Sequence, residues 1–254
     1  MPSTSRSIVY RLLCRVRQSV LHRPILSLLS QLHNSSYHWF SFFAAGDGPH
    51  PKHAITNYHQ FFIDNIKTSD QVIDLGCGLG ELAYDLAKKA RSVIGLDSSV
   101  RSITKAQQSY RLPNLVFSIG NITTPPTQQH YDVAVLSNVL EHIEQRIALL
   151  KVIQTYTNTI LIRVPLLTRD WITVYKQQHG FEYRLDDTHF IEYSVDSFRS
   201  EISTAGLSIS SWHIAFGELY AICHPALVST PSYPSNYPTI SSTPSSNAPS
   251  LIPN

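Results

Sequence analysis

The sequence predicts an α/β fold, an open doubly wound sheet of seven mostly parallel strands, and three observations predict it. Short apolar runs rich in Val, Ile and Leu alternate with segments of helical period from Val72 onward. The first run, QVIDLGCGLG (71–80), passes through three alternate glycines directly into an apolar-periodic stretch, Leu79, Leu82, Ala83 and Leu86. The last two runs, Leu207 to Ala215 and Leu219 to Cys223, are joined only by a short connection holding Gly217 and Glu218.

Val72, Ile73 and Leu75 suit a central strand covered on both faces. The glycines after it permit a sharp turn and leave the backbone bare for a ligand. A dinucleotide fingerprint, G-x-G-x-x-G, would place Glu81 at its third glycine, where a carboxylate repels a pyrophosphate, so the spacing disfavours NAD. Asp74, at the end of the same apolar strand, suits a cationic or hydroxyl-rich ligand. The next run, Ser92 to Leu96, ends in Asp97, whose carboxylate can accept both hydroxyls of a ribose. The ligand implied is a nucleoside carrying positive charge.

Here the chain resembles the class I S-adenosylmethionine-dependent methyltransferases, whose glycine loop [DE]-x-G-x-G-x-G is matched by Asp74, Gly76, Gly78 and Gly80. The resemblance runs from about Tyr58 to Cys223 and implies a Rossmann-like sheet with an antiparallel final strand. It also implies S-adenosyl-L-methionine as cofactor, with Asp97 on the ribose and Ser98 beside it. Cys77 falls within the same loop, as the small residue between two glycines.

A helix follows from about Ser99 to Tyr110, with Ser98 or Ser99 able to cap it, and Leu115 to Ile119 is the third strand. In the resembled family the position after that strand reads the adenine amino group. Asn121 stands there with Ile122, and an amide oxygen can accept that bond. Thr123 to His130, with Pro125 and Pro126, is a loop. The fourth strand, in YDVAVLSNVLEH (131–142), carries Ser137 and Asn138 to its carboxyl end, where open α/β sheets place ligands.

NVLEH resembles the strand-four exit of small-molecule methyltransferases of the ubiquinone-biosynthesis type, which sets Glu141 and His142 on the acceptor side. Glu141 could instead cap a helix running from Ile143 to about Thr155. His142 is the first candidate base, because imidazole takes protons near neutral pH. His53 and His189 are reserves.

Thr159 to Val164 is the fifth strand. A lid follows it at 165–194, with a helix from Arg169–Trp171 to Gln178, a break at Gly180 and a polar-aromatic segment holding Arg184, Asp186, Asp187, His189, Glu192 and Tyr193. The order RDW, THFIEYS, then a helix at Val195 to Ala205, resembles bacterial methyltransferases encoded among glycan-assembly genes. The charged and aromatic lid suits a polar small-molecule or glycan-type acceptor, methylated on oxygen or, alternatively, on nitrogen or carbon. The rival readings are an NAD-dependent oxidoreductase and a non-catalytic protein of the same fold attached to a membrane or protein partner.

The flanks differ in character. No acidic residue precedes Asp47, whereas Arg6, Arg11, Arg15, Arg17 and Arg23 all do. Residues 1–34 read as a basic amphipathic helical segment interrupted by Pro24, able to touch a membrane through 6–32, to serve in targeting, or to pack on the domain. Residues 35–66 read as a cap, with Gly46–Lys52 a loop and a helix over Ile55–Ile66. There His50, Lys52, His53 and Tyr58 are substrate-side candidates. Residues 67–224 form the cofactor domain, and the uncharged Ser/Pro-rich stretch 225–254 is expected to be disordered.

The net charge of +2 argues for no nucleic-acid partner. The three cysteines, Cys14, Cys77 and Cys223, lie too far apart for a disulfide scaffold, and no metal site is read from any spacing. A reducing, cytoplasmic setting is the default expectation.

Overall fold

Why the middle of the chain folds as it does is visible in its strands, whose alternate side chains go to opposite faces and are buried on both. The computed structural model describes residues 4–46, 50–124, 129–184 and 186–226. Two N-terminal helices, α1 (Thr4–Arg17) and α2 (His22–Ala45), precede two short ones, α3 (Lys52–Thr56) and α4 (Tyr58–Asp64). Then come β1 (Gln71–Leu75), α5 (Glu81–Ala87), β2 (Ser92–Asp97), α6 (Val100–Ser109), β3 (Leu115–Ile119) and β4 (Tyr131–Ser137). After a 3-10 turn at Leu140–His142 follow α7 (Arg146–Ile153), β5 (Thr157–Pro165), a second 3-10 turn at Leu167–Arg169, α8 (Trp171–Gln178), α9 (Val195–Thr204), β6 (Leu207–Ala215) and β7 (Glu218–Pro225).

The strands form one seven-stranded sheet in the order β3-β2-β1-β4-β5-β7-β6. All neighbours are parallel except that β7 runs antiparallel to both β5 and β6. The expected Rossmann-like sheet with its antiparallel final strand is therefore the observed one. Ile73, Leu75, Leu136 and Ile162 pack on one face with Leu149, Leu150, Phe198 and Ile202 of α7 and α9. Val72, Val133, Val135 and Leu161 pack on the other with Phe62, Leu82, Leu86 and Ile103 of α4, α5 and α6. Strand order reverses between β1 and β4, which opens a crevice above their carboxyl ends.

Several expected boundaries shift. The helix read over Ile55–Ile66 is α3 and α4, parted at Asn57, which adopts a left-handed φ of 47° that asparagine tolerates better than most residues. The helix read from Ile143 starts at Arg146, because the 3-10 turn consumes Leu140–His142 first. Glu141 does not cap it. Pro24 interrupts nothing: it sits in the first turn of α2, where a missing N–H costs no bond, and the break falls at Gln18–Leu21 instead. Consequently α2 runs unbroken through the boundary read at residue 34, and the cap has no separate start there. The expected tail lies outside the described residues from 227 onward, as does the Pro125–Pro126 part of the loop.

The excursion after β5 leaves and returns at one point. Leu166 bridges Tyr193, with Leu167 N donating to Tyr193 O at 2.8 Å. Asp170 caps α8 by accepting from the Thr173 N–H at 2.7 Å and its hydroxyl at 2.8 Å, and Gly180, at φ 70°, follows its end.

Candidate cofactor and acceptor site

The glycine loop closes over the end of β2. Gly76 N and Cys77 N both donate to Leu96 O, at 2.7 and 3.1 Å. All three glycines hold positive φ, 74°, 54° and 87°. A Cβ on Gly76 would come within 2.7 Å of Val139, and one on Gly80 within 2.6 Å of the Phe117 ring, whereas one on Gly78 would meet nothing within 4 Å. Two of the glycines are therefore demanded by packing and the middle one borders open space. Asp97 is pinned beside that space, its Oδ2 accepting from Gly78 N at 2.9 Å and its Oδ1 from Ser99 N at 2.8 Å. Each oxygen retains a lone pair for a further donor.

Asp74 is 2 % exposed and its Oδ2 has no partner among the described residues. Burial, reinforced by the Asp97 charge, pushes its carboxyl up to about 7. A cationic ligand would restore the charged form and supply the missing partner. Asn138, held at φ 54° with N–H donating to Arg163 O at 2.9 Å, likewise has a buried Oδ1 without a partner among the described residues. Two orphaned oxygens, a carboxylate with spare lone pairs and an open glycine match what a cationic nucleoside requires, so the residues present fit S-adenosylmethionine.

Other candidates are placed differently. Asn121 is exposed, and its Oδ1 accepts both the N–H and the hydroxyl of Thr123, at 2.9 and 2.8 Å. Thr123 thus engages the oxygen that the expected contact to an adenine amino group would use, and Nδ2 is the group left over. Ile122 packs half-buried against the core, Ser98 is exposed next to Asp97, and Cys77 is buried with its thiol pushed well up by burial.

At the strand-four exit the 3-10 turn carries two side chains that differ in burial. Glu141 is fully buried and neither carboxyl oxygen has a partner among the described residues, so burial drives the group up to about 8. His142 is half-buried, and its Nδ1 lies 2.8 Å from Thr188 Oγ1. The His189 ring meets it edge-on at 4.5 Å, and His189 Nδ1 lies 3.1 Å from Glu192 Oε1. Side-chain N and O atoms of Glu141, His142 and His189 gather within 4.8 Å of one another. His53 does not join them. Its ring packs on Tyr58 and His59 at 5.2 and 5.3 Å and lines a separate depression with Glu81, Tyr84 and Asp85. Burial, then the charge of His59, lowers His53 to about 4.

Sequence reasoning missed two features. Thr188 and Asp186 form a chain to His142, since Thr188 Oγ1 donates to Asp186 Oδ1 at 2.6 Å; nothing in spacing links residues 46 positions apart. The second is Arg163, 3 % exposed, whose Nε and Nη2 both reach Glu218 at 2.6 Å while its guanidinium lies 3.7 Å over the Tyr58 ring. Glu218 Oε1 also accepts from Asn138 Nδ2 at 3.3 Å. A single arginine in an apolar strand was the available signal, because a buried guanidinium requires a counter-charge.

Comparison with known proteins places the chain in a family. The family model described as a methyltransferase domain matches residues 50–211, well over half the chain. The magnesium protoporphyrin IX methyltransferase of Synechocystis, solved with bound S-adenosylhomocysteine, superposes with a TM-score of 0.56 over 79 % of this chain and 99 % of its own, at 17 % identity. The CcbJ methyltransferase of Streptomyces caelestis gives 0.57 over 71 % and 92 %, at 16 % identity. These likenesses are of fold.

Among curated relatives, trans-aconitate 2-methyltransferase of Deinococcus radiodurans is 48 % identical over 54 residues, 20 % of each chain. An uncharacterized RNA methyltransferase of Gloeobacter violaceus is 31 % identical over 96 residues, 32 % of this chain and 21 % of that one. The 23S rRNA (uracil(1939)-C(5))-methyltransferase of Aliivibrio salmonicida is 32 % identical over 68 residues, 26 % of this chain and 16 % of that one. This chain spans about a fifth of the length of the curated relatives it matches. The expectation that no nucleic acid is involved is corrected here: relatives named for RNA match part of this chain, so modest net charge does not exclude that class of acceptor.

Proposed function

From the premise that this chain belongs to the methyltransferase-domain family, we propose that it transfers a methyl group to a hydroxyl of a polar small-molecule or glycan-type acceptor, with His142 as the base. When bound, S-adenosylmethionine supplies an electrophilic methyl whose departing sulfur becomes neutral and needs no acid. Asp97 would hold the ribose, the Gly78 opening would admit the backbone-hugging part of the ligand, and Asp74 and Asn138 would face its cationic end.

The observation that carries the reading is the direction of hydrogen bonds at His142. Asp186 is ionised: burial opposes this, but the hydroxyl and N–H of Thr188 hold its carboxyl below the ordinary value. The Thr188 hydroxyl has one proton and gives it to Asp186, so toward His142 it can only accept. The imidazole therefore donates from Nδ1, and in the neutral ring Nε2 carries the lone pair. Burial, then His189, keeps His142 below its ordinary value, so the ring is neutral at pH 7. A hydroxyl brought to Nε2 loses its proton there as its oxygen attacks. Thr188 and Asp186 steady the imidazole while it is charged, and the polar surroundings of Asp186, Thr188 and His189 suit a hydroxyl-rich acceptor.

Radiolabelled methyl transfer tests this, with candidate glycans, small hydroxylated acids and RNA as acceptors. His142→Gln should lower turnover by roughly 10²–10⁴-fold, the usual contribution of a positioned base, with S-adenosylhomocysteine affinity retained. Turnover within about threefold of the parent, normalised to folded protein, removes His142 as the base. Labelling of RNA alone overturns the acceptor class.

A further inference from the structure

α2 is turned opposite to an ordinary surface helix. At about 100° per residue, Arg23, Ser30, Asn34 and Ser41 share one stripe, and that polar stripe faces the protein. Arg23 Nη2 donates to His179 O at 3.3 Å, Ser30 Oγ to Glu182 O at 3.2 Å, and Asn34 Nδ2 to Arg184 O at 3.1 Å. Lys176 of α8 reaches back to Asn34 Oδ1 at 2.6 Å and His33 Nδ1 at 3.0 Å. The opposite stripe holds Ile25, Leu28, Leu32, Trp39 and Phe43, all exposed, with Trp39 at 62 % and Phe43 at 73 %. A helix that spends its polar side on its own protein and turns Leu, Trp and Phe outward leaves an apolar face that solvent does not favour.

We propose that this face lies in the interface of an anionic lipid bilayer. The commitment to lipid comes from charge. Residues 1–46 contain no Asp or Glu, while α1, joined to α2 by a short turn, carries Arg11, Arg15 and Arg17. Arg15 and Arg17 are exposed. Beyond Arg23, α2 bears no Lys, Arg, Asp or Glu through Ala45, yet no described helix is long and apolar enough to cross a membrane. A cationic, acid-free approach to an uncharged Leu/Phe/Trp face is the pattern of a helix lying in the headgroup boundary. The segment that α2 grips, His179 to Arg184, leads directly into Asp186, Thr188 and His189. Seating α2 on a bilayer would therefore tether the segment that leads to the proposed acceptor mouth, whichever acceptor it serves.

Flotation of the full-length protein tests this, using vesicles of phosphatidylcholine alone and of phosphatidylcholine with phosphatidylglycerol. Binding should occur on the anionic vesicles, fall as salt rises through the Debye regime, and be weak on neutral ones. Leu32→Ser/Phe43→Ser should reduce it by roughly tenfold or more, given the apolar area withdrawn. Arg15→Gln/Arg17→Gln should weaken binding and flatten its salt dependence. Both pairs are exposed, so S-adenosylhomocysteine affinity and Tm should stay at parent values, separating this surface from the cofactor site. No flotation with anionic vesicles at low salt overturns the proposal. So does equal flotation of the Leu32/Phe43 variant, or a self-association that the variant abolishes while vesicle binding persists.

Discussion

Two carboxyls at the mouth of the sheet, Asp74 and Glu141, are buried with oxygens that have no partner among the described residues, so each prefers its proton. For Glu141 the ionisation point moves from the ordinary 4.5 to about 8 on folding. Between those values the folded chain binds a proton that the unfolded chain has released. The contribution of this group to stability is therefore complete below pH 4.5 and is lost as pH rises through about 8. Converted at about 1.4 kcal/mol per pH unit, the span corresponds to on the order of 5 kcal/mol. Glu141→Gln removes the titration, so in ligand-free protein it should match the parent at the acid end and exceed it in stability near pH 8. Urea unfolding at both pH values checks this. A parent-to-variant difference that does not change with pH would mean Glu141 does not titrate in this window.

Elements whose local pattern and burial agree were legible in advance, and those decided by a distant partner were not. β1, β2 and β4 are built mainly of apolar residues because both faces are covered, and the glycine loop had to follow β1 because no other residue type fits against Val139 and Phe117. Asp97 was legible for the same reason, as the polar end of an apolar strand. The Asn121 side chain was not, because its oxygen is claimed by Thr123 in a local turn that spacing does not reveal. Nor was the Arg163–Glu218 pair, which joins β5 to β7 across residues that are neighbours only in the sheet. That pair carries an element-scale expectation. Glu218→Ala would leave a 3 % exposed guanidinium with its Tyr58 contact but no carboxylate, and should cost about 3–5 kcal/mol. Glu218→Gln, which keeps an acceptor oxygen, should cost less. Equal and small losses on thermal denaturation would show that Tyr58 and the Ser137 hydroxyl, 3.3 Å from Nη1, suffice for Arg163.

At the scale of the whole molecule, the candidate cofactor side and the proposed acceptor side are built from parts with different support. Asp74, Gly78 and Asp97 stand on strands and turns fixed by the sheet, whereas Asp186, Thr188 and His189 lie on the excursion that departs and returns at Leu166–Tyr193. That excursion is held from outside by α2, and Lys176, 4 % exposed, finds its hydrogen bonds there in Ser30 O, His33 and Asn34. Removing residues 1–46 should therefore leave the sheet and S-adenosylhomocysteine affinity close to those of the parent, while Lys176 loses those partners and the excursion loosens. A loosened excursion no longer presents Thr188 to His142, so turnover should fall by roughly tenfold or more, since small misplacements of a positioned base carry penalties of that order. Lys176→Met in the full chain separates the two effects, because it removes the buried ammonium without removing α2. If the truncated protein regains turnover when Lys176 is also Met, the loss came from an unpaired charge. If turnover stays low, α2 is what keeps the acceptor side in register with the cofactor side. Calorimetric affinity and single-turnover methyl transfer, measured on the same preparations, decide between them.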